Sequence, residues 1–128
     1  MSDVFLSYSR TERDLARQFA SALQAEGWSV WWDHAIPPGL SWADMIEREL
    51  SEARCVVVLW SEESLKSDWV LEEASYAREQ GTLIPVVVAD VRLPLGFRQI
   101  HSIDLRDWDG GSSHPEFAKL REWIQRRI

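Results

Sequence analysis

The sequence predicts an α/β fold: a flavodoxin-like, doubly wound parallel sheet of about five strands, order 2-1-3-4-5, with helices on both faces. Three observations lead there. Short apolar runs alternate along the chain with segments whose apolar residues recur at helical spacing. The run Cys55-Val56-Val57-Val58-Leu59-Trp60 contains no polar residue, as expected of a parallel strand covered on both faces. Gly27 and Gly81 each stand where a helical pattern stops and a strand-like run is about to begin. The 128 residues fit a single domain, 1–128, with no internal repeat, low-complexity tract or linker.

Val4-Phe5-Leu6 opens as a short buried strand. From Thr11 the period turns helical, with Leu15, Phe19, Ala22 and Leu23 on one face. Trp28 to Trp32 reads as the second strand, and Asp33 to Leu40, with two prolines and a glycine, as a loop. Ser41 is a good N-cap for a helix striped by Trp42, Met45, Ile46 and Leu50. Cys55 to Trp60 is the third strand. Ser61 to Asp68 is polar and turn-like, and a helix runs from Trp69 to about Gln80. Leu83 to Ala89 is the fourth strand. Pro85 cannot donate to a ladder, so the strand either begins late or has an unpaired edge there. Arg92 to Gln99 is mostly loop, His101 to Leu105 a weak last strand, and Pro115 to Ile128 a final helix with Phe117, Leu120 and Ile124 inward.

Composition excludes several functions. The net charge of −7 argues against a phosphate-backbone binder, since only the stretch Arg121 to Arg127 is locally basic. That cluster suits the negative end of a terminal helix. The single cysteine, Cys55, lies in the apolar run and reads as a packing residue, which fits a reducing, cytoplasmic setting. No signal peptide is recognisable, and the apolar runs are too short to span a bilayer. There is no GxGxxG after the first strand and no GxxxxGK[ST], which removes the ordinary dinucleotide fold and the P-loop. His34, His101 and His114 lack metal-ligand spacing, so no metal is expected. Ser7 and Ser9 lie near a strand end without a GxSxG elbow. A phosphoacceptor receiver would need an acidic cluster after the first strand and an aspartate ending the third; Ser7-Tyr8-Ser9 and Trp60-Ser61 stand there instead.

One pair carries chemistry by position. Trp69 and Glu73 are four residues apart on a helix and point to one side, near the carboxyl end of the sheet where such folds bind ligands. Glu72, about 100° round the helix, is expected to face elsewhere. From spacing alone, Glu73 reads first as an ordinary helix-surface glutamate, and the functional reading is the lesser of the two.

Three blocks give that pair a context. Asp3-Val4-Phe5-Leu6-Ser7-Tyr8-Ser9, then Gly27 to Asp33 with Ile36-Pro37-Pro38-Gly39, then Ser61 to Glu73 ending Trp69-Val70-Leu71-Glu72-Glu73, resemble in order the boxes of TIR (Toll/interleukin-1 receptor) domains. The family's third box, a Phe-Trp pair near the last helix, has no direct counterpart; Trp108 and Phe117 are the candidates for it.

The resemblance is to the bacterial-type, NAD-cleaving members. It implies an NAD+ glycohydrolase with Glu73 as the catalytic carboxylate and NAD+ as substrate, no further cofactor being required. It also implies other TIR domains as partners, in a homo-oligomer or filament, within an immune or toxin effector. Tyr8, Ser9, Arg10, Asp33 and Trp69 are candidates for substrate binding. Arg10 could meet the pyrophosphate; Asp33 could equally cap a turn, and Tyr8 and Trp69 could equally pack. Ile36, Pro37, Pro38, Gly39 and Leu40 form an expected assembly loop that projects apolar surface. No nucleic-acid partner and no membrane insertion are expected. The alternative is a non-catalytic TIR–TIR interaction module.

Overall fold

The computed structural model describes residues 2–33, 39 and 41–128. Five strands form one parallel sheet in the order β2-β1-β3-β4-β5. In chain order the elements are β1 (Val4–Ser7), a 3-10 turn (Arg10–Glu12), α1 (Arg13–Gln24), β2 (Val30–Trp31), α2 (Trp42–Glu52), β3 (Cys55–Trp60), α3 (Glu62–Leu65), α4 (Asp68–Gln80), β4 (Leu83–Val87), β5 (Ile103–Asp104) and α5 (Pro115–Arg127).

β3 is central because it is the longest strand that is apolar at every position. All six of its residues are buried, and it pairs with β1 from Val4–Cys55 to Ser7–Val58 and with β4 from Val56–Leu83 to Trp60–Val87. Successive side chains alternate between two layers. Val4, Leu6, Val57 and Leu59 face a core closed by Phe19 and Leu23 of α1 and by Phe117, Leu120 and Ile124 of α5. Phe5, Val56, Val58 and Trp60 face the opposite core, closed by Ile46 and Leu50 of α2 and by Val70, Ala74 and Ala77 of α4. Each large side chain buried this fully contributes about 2 kcal/mol. Trp108 stacks on Phe117 at 5.4 Å and tilts against Phe19 at 4.4 Å, so it packs α5 to α1.

Several local expectations are corrected. The helix foreseen from Thr11 begins at Arg13, behind the 3-10 turn. The second strand is only Val30–Trp31, because it lies at the sheet edge with β1 as its one neighbour. The stretch after β3 is not merely a turn: Ser61 and Ser64 form a reciprocal capping box that winds Glu62–Leu65 into α3. β4, by contrast, starts at Leu83 as expected, and of the two readings of Pro85 the unpaired edge holds. Val87 gives its carbonyl to Leu105 N, on the β5 side, and Pro85 shares that side by two-residue parity. β5 pairs only with Val86 and Val87, so the proline faces the stretch the ladder does not reach. The last strand shrinks to Ile103–Asp104. Among the described residues, no helix is long and apolar enough to cross a membrane.

Candidate active site

The site begins with how α4 is set on the sheet. The Ser67 side chain accepts from Val70 N at 3.3 Å and caps the helix start, with Asp68 complementing the dipole in the first turn. Gly81 ends the helix at φ 74°, a left-handed conformation that suits glycine. Between these ends, Val70, Glu73, Ala74 and Ala77 are the buried residues. Glu73 is therefore an acid on the inner face of a helix otherwise lined there by apolar residues, and only 4% of it is exposed.

Its partner comes from β1. Ser7 lies on the same side of the sheet as Phe5, by two-residue parity, and that side is the one α4 covers. The Ser7 hydroxyl donates to Glu73 Oε1 at 2.6 Å, and Ser7 itself is fully buried. Burial pushes the Glu73 carboxyl up to about 7; the Ser7 hydrogen bond acts against this, and neighbouring Glu72 adds to it. The result is a carboxyl poised to change charge near neutral pH.

Glu73 also borders a groove of about 300 Å³ between α2 and α4. Ile46 and Leu50 form one wall, Trp69 and Glu73 the other, with Glu47 and Glu72 also lining it. Trp69 is 44% exposed, so it is a wall residue more than a core residue. Glu72 was expected to face elsewhere. It is exposed, but it borders the same groove, because 100° of rotation does not carry a long side chain clear of a broad opening. An apolar hollow with an acidic rim and one buried carboxyl is suited to a cation or to a transition state that develops positive charge.

The other sequence-predicted residues serve structure first. The Tyr8 phenol donates to the Trp32 carbonyl at 2.6 Å, fastening the end of β1 to the end of β2, and its pKa is raised mainly by burial. Ser9 hydrogen-bonds Thr11 at 3.0 Å, and Arg10 is exposed on the 3-10 turn. Asp33 is ion-paired with Arg13 at 3.1 Å, and the Arg13 guanidinium lies 5.2 Å over the Trp32 ring. None of these four borders the α2–α4 groove. Ile36, Pro37, Pro38 and Leu40 of the expected assembly loop lie outside the described residues. Gly39 is described, and with Ser41, Asp44, Met45 and Arg48 it borders a separate hollow of about 310 Å³.

Two features escaped sequence reasoning. Ser7 was read as part of the opening block and as a serine without a nucleophile elbow, not as a partner of Glu73; its parity with Phe5 was the available signal. Glu12 accepts from the Ser61 hydroxyl, tying the turn after β1 to the start of α3, and no spacing rule announces that pair. A larger hollow, about 440 Å³, lies at the ends of β4 and β5 among Asp90, Asp104, Arg106 and Asp107. The cation in its lining is already engaged: Arg106 binds Asp104 at 2.8 Å and reaches Asp90 at 3.6 Å. It therefore offers a ligand less than the smaller groove beside Glu73.

Comparison with known proteins agrees with this architecture. The sequence model of the TIR domain family matches residues 4–122. Comparison with curated protein sequences finds no match. Among solved structures, the chain is similar to the TIR domain of the Toll-related receptor TRR-2 from Hydra magnipapillata. The TM-score is 0.86 at 16% identity, over 98% of this chain and 99% of that one. It is also similar to the TIR domains of the activated Roq1 resistosome directly recognizing the pathogen effector XopQ (TM-score 0.72, 20% identity, 97% and 99% covered). A metazoan TIR-STING receptor from C. gigas, solved with 2',3'-cGAMP, matches at TM-score 0.72 and 21% identity, over 98% of this chain and 39% of the receptor. With a strand order of β2-β1-β3-β4-β5 and a family match across nearly its whole length, this chain belongs to the TIR domain family.

Proposed function

We propose that this chain cleaves the nicotinamide–ribose bond of NAD+, with Glu73 as the catalytic carboxylate. The observation that carries the reading is the placement of Glu73: a buried acid bonded to Ser7 and bordering an apolar, acid-rimmed groove. The chemistry needs no second acid. The C1'–N1 bond breaks with its electron pair moving to the nicotinamide nitrogen, so a cationic ring leaves as a neutral base. Positive charge develops on the ribose as an oxocarbenium-like centre. An ionised Glu73 stabilises that charge far better in a water-poor groove than in bulk solvent. Water then adds at C1' and loses a proton, giving ADP-ribose. Attack by the substrate's own adenine or ribose gives a cyclic isomer instead.

The proposal includes self-assembly. The loop 36–40 carries apolar residues and is the segment by which one copy would dock on another, completing the site within a homo-oligomer or filament. The solved Roq1 TIR domains belong to an activated resistosome, and an immune or toxin effector acting in the cytoplasm is the corresponding role here. The non-catalytic reading, a TIR–TIR adaptor, draws on the near-complete burial of Glu73, which leaves little of the carboxyl open. Incubating concentrated protein with NAD+ and separating the products by chromatography distinguishes them. Nicotinamide release by the native chain, its loss in Glu73→Gln and its retention in Glu79→Gln, an exposed residue of the same helix outside the groove, support the enzyme. Equal release by Glu73→Gln overturns the assignment.

A further inference from the structure

We propose that Ser7 is a positioning residue for Glu73: its hydroxyl fixes Oε1 from the central part of the sheet and so commits the other carboxylate oxygen to the α2–α4 groove. This rests on the reading of Glu73 as the catalytic carboxylate. The geometry has three parts. Ser7 sits on β1, which is held on both sides, by Val30 and Trp31 of β2 and by the full length of its register with β3. It is fully buried, and its hydroxyl lies 2.6 Å from Oε1, a short bond of the kind made to an ionised acceptor. Glu73 belongs to a different element, α4, and borders the groove from the other side. A flexible side chain is thus tied at one oxygen to a buried strand that pairs with β3 along its whole length. A carboxylate that rotates freely about its last torsions presents its charge over a wide arc; one anchored at Oε1 presents it in one direction.

The groups around Glu73 make the role distinct. Glu72 from the same helix and Glu47 from α2 line the groove as like charges, and Tyr8 at the end of β1 turns its phenol to the Trp32 carbonyl. Ser7 is the hydrogen-bond donor that reaches the carboxyl from the sheet.

The test uses the full chain with Ser7→Ala, which removes the donor at nearly constant volume, and Ser7→Cys, which keeps a weak one. Two measurements are made. The first is the titration of the Glu73 carboxyl by carbon-13 NMR, assigned by its disappearance in Glu73→Gln. It needs no turnover. Loss of the bond should raise the midpoint by about one pH unit in Ser7→Ala, with Ser7→Cys between the two. The second is the pH profile of NAD+ cleavage. A positioning role lowers the alkaline plateau of kcat roughly tenfold in Ser7→Ala with KM little changed, since the carboxylate is then ionised but loosely held. An unmoved NMR midpoint overturns the proposal, because the bond would then be absent in solution. A plateau equal to the native one overturns it too, since Ser7 would then tune charge without directing it. If the native chain cleaves no NAD+, the proposed activity fails, and the NMR midpoint alone decides whether Ser7 holds Glu73.

Discussion

Replacing Glu73 by glutamine should stabilise the fold, and by an amount that depends on pH. The native carboxyl is 4% exposed and its pKa rises from the ordinary 4.5 to about 7, chiefly through burial. Below pH 4.5 it is protonated in both the folded and the unfolded chain, and stability is unaffected by its charge. Between 4.5 and about 7 the unfolded chain loses this proton while the folded chain keeps it, so stability falls as pH rises. Above about 7 both are ionised and the full cost stands, about 3 kcal/mol. Glutamine resembles the protonated acid: its carbonyl can still accept from Ser7, and it carries no charge to bury. The gain from Glu73→Gln should therefore be about 1 kcal/mol at pH 5 and about 3 kcal/mol at pH 8.5. For a chain of this length the larger figure corresponds to roughly 10 °C in Tm.

Urea unfolding followed by tryptophan fluorescence reads both values, since the chain has 8 tryptophans. Subtracting mutant from native at each pH cancels groups of opposite sign. Asp104, lowered by its bond to Arg106, and Glu116, lowered by Lys119, stabilise the fold at neutral pH and lose that effect as pH falls. A gain that is equal at the two pH values, or absent at 8.5, would refute the reasoning, because the carboxyl would then not be paying a desolvation penalty.

Three further outcomes are expected. NAD+ cleavage should rise with pH through about 7, where Glu73 gains its charge, and the inflection should vanish from any residual activity of Glu73→Gln; a flat profile from pH 5.5 to 8.5 would separate catalysis from this carboxyl. Gly96→Ala should cost about 1–2 kcal/mol in thermal unfolding. Gly96 sits at φ 94°, a backbone conformation strained for any side chain, and a Cβ there would meet the guanidinium end of Arg78, which bonds the Gly96 carbonyl; a neutral effect would mean that Gly96 does not hold this left-handed conformation in solution. Specific activity should climb with protein concentration and weaken in Pro38→Ala/Gly39→Ala, and a constant value from a chain that sediments as a monomer throughout would reject the assembled site.

The fold was legible because its signals are local and repeated. The apolar run Cys55–Trp60 could only be an interior strand, and it is the central one. Gly81 and Ser41 each act within one turn of their own position, which is why α4 ends and α2 begins where the pattern places them. What was misjudged depends on neighbours. β2 is short because the sheet ends there, and Trp28 and Trp32 pack against the α1–α5 core beyond the strand itself. Ser61 and Ser64 looked like turn residues because serine serves turns and caps alike; only the reciprocal bond between them makes α3.

The site was half legible for a related reason. Helical spacing and family resemblance single out Glu73, but neither says whether it faces water or the sheet. The decisive fact is a contact between residues 66 positions apart, Ser7 and Glu73, which no local period encodes. It follows only when two periods are combined: parity along β1 puts Ser7 with Phe5, and the stripe Val70-Ala74-Ala77 puts α4 over that same face. A serine ending an otherwise apolar strand and a glutamate among alanines are each anomalies alone. Opposite one another, each is the reason the other is tolerated: the serine spares the carboxyl part of the cost of burial, and the carboxyl gives a buried hydroxyl its acceptor. The cost that remains is what puts the Glu73 titration near neutral pH, so the stability lost at this position and its fitness for charge-dependent chemistry have one physical origin.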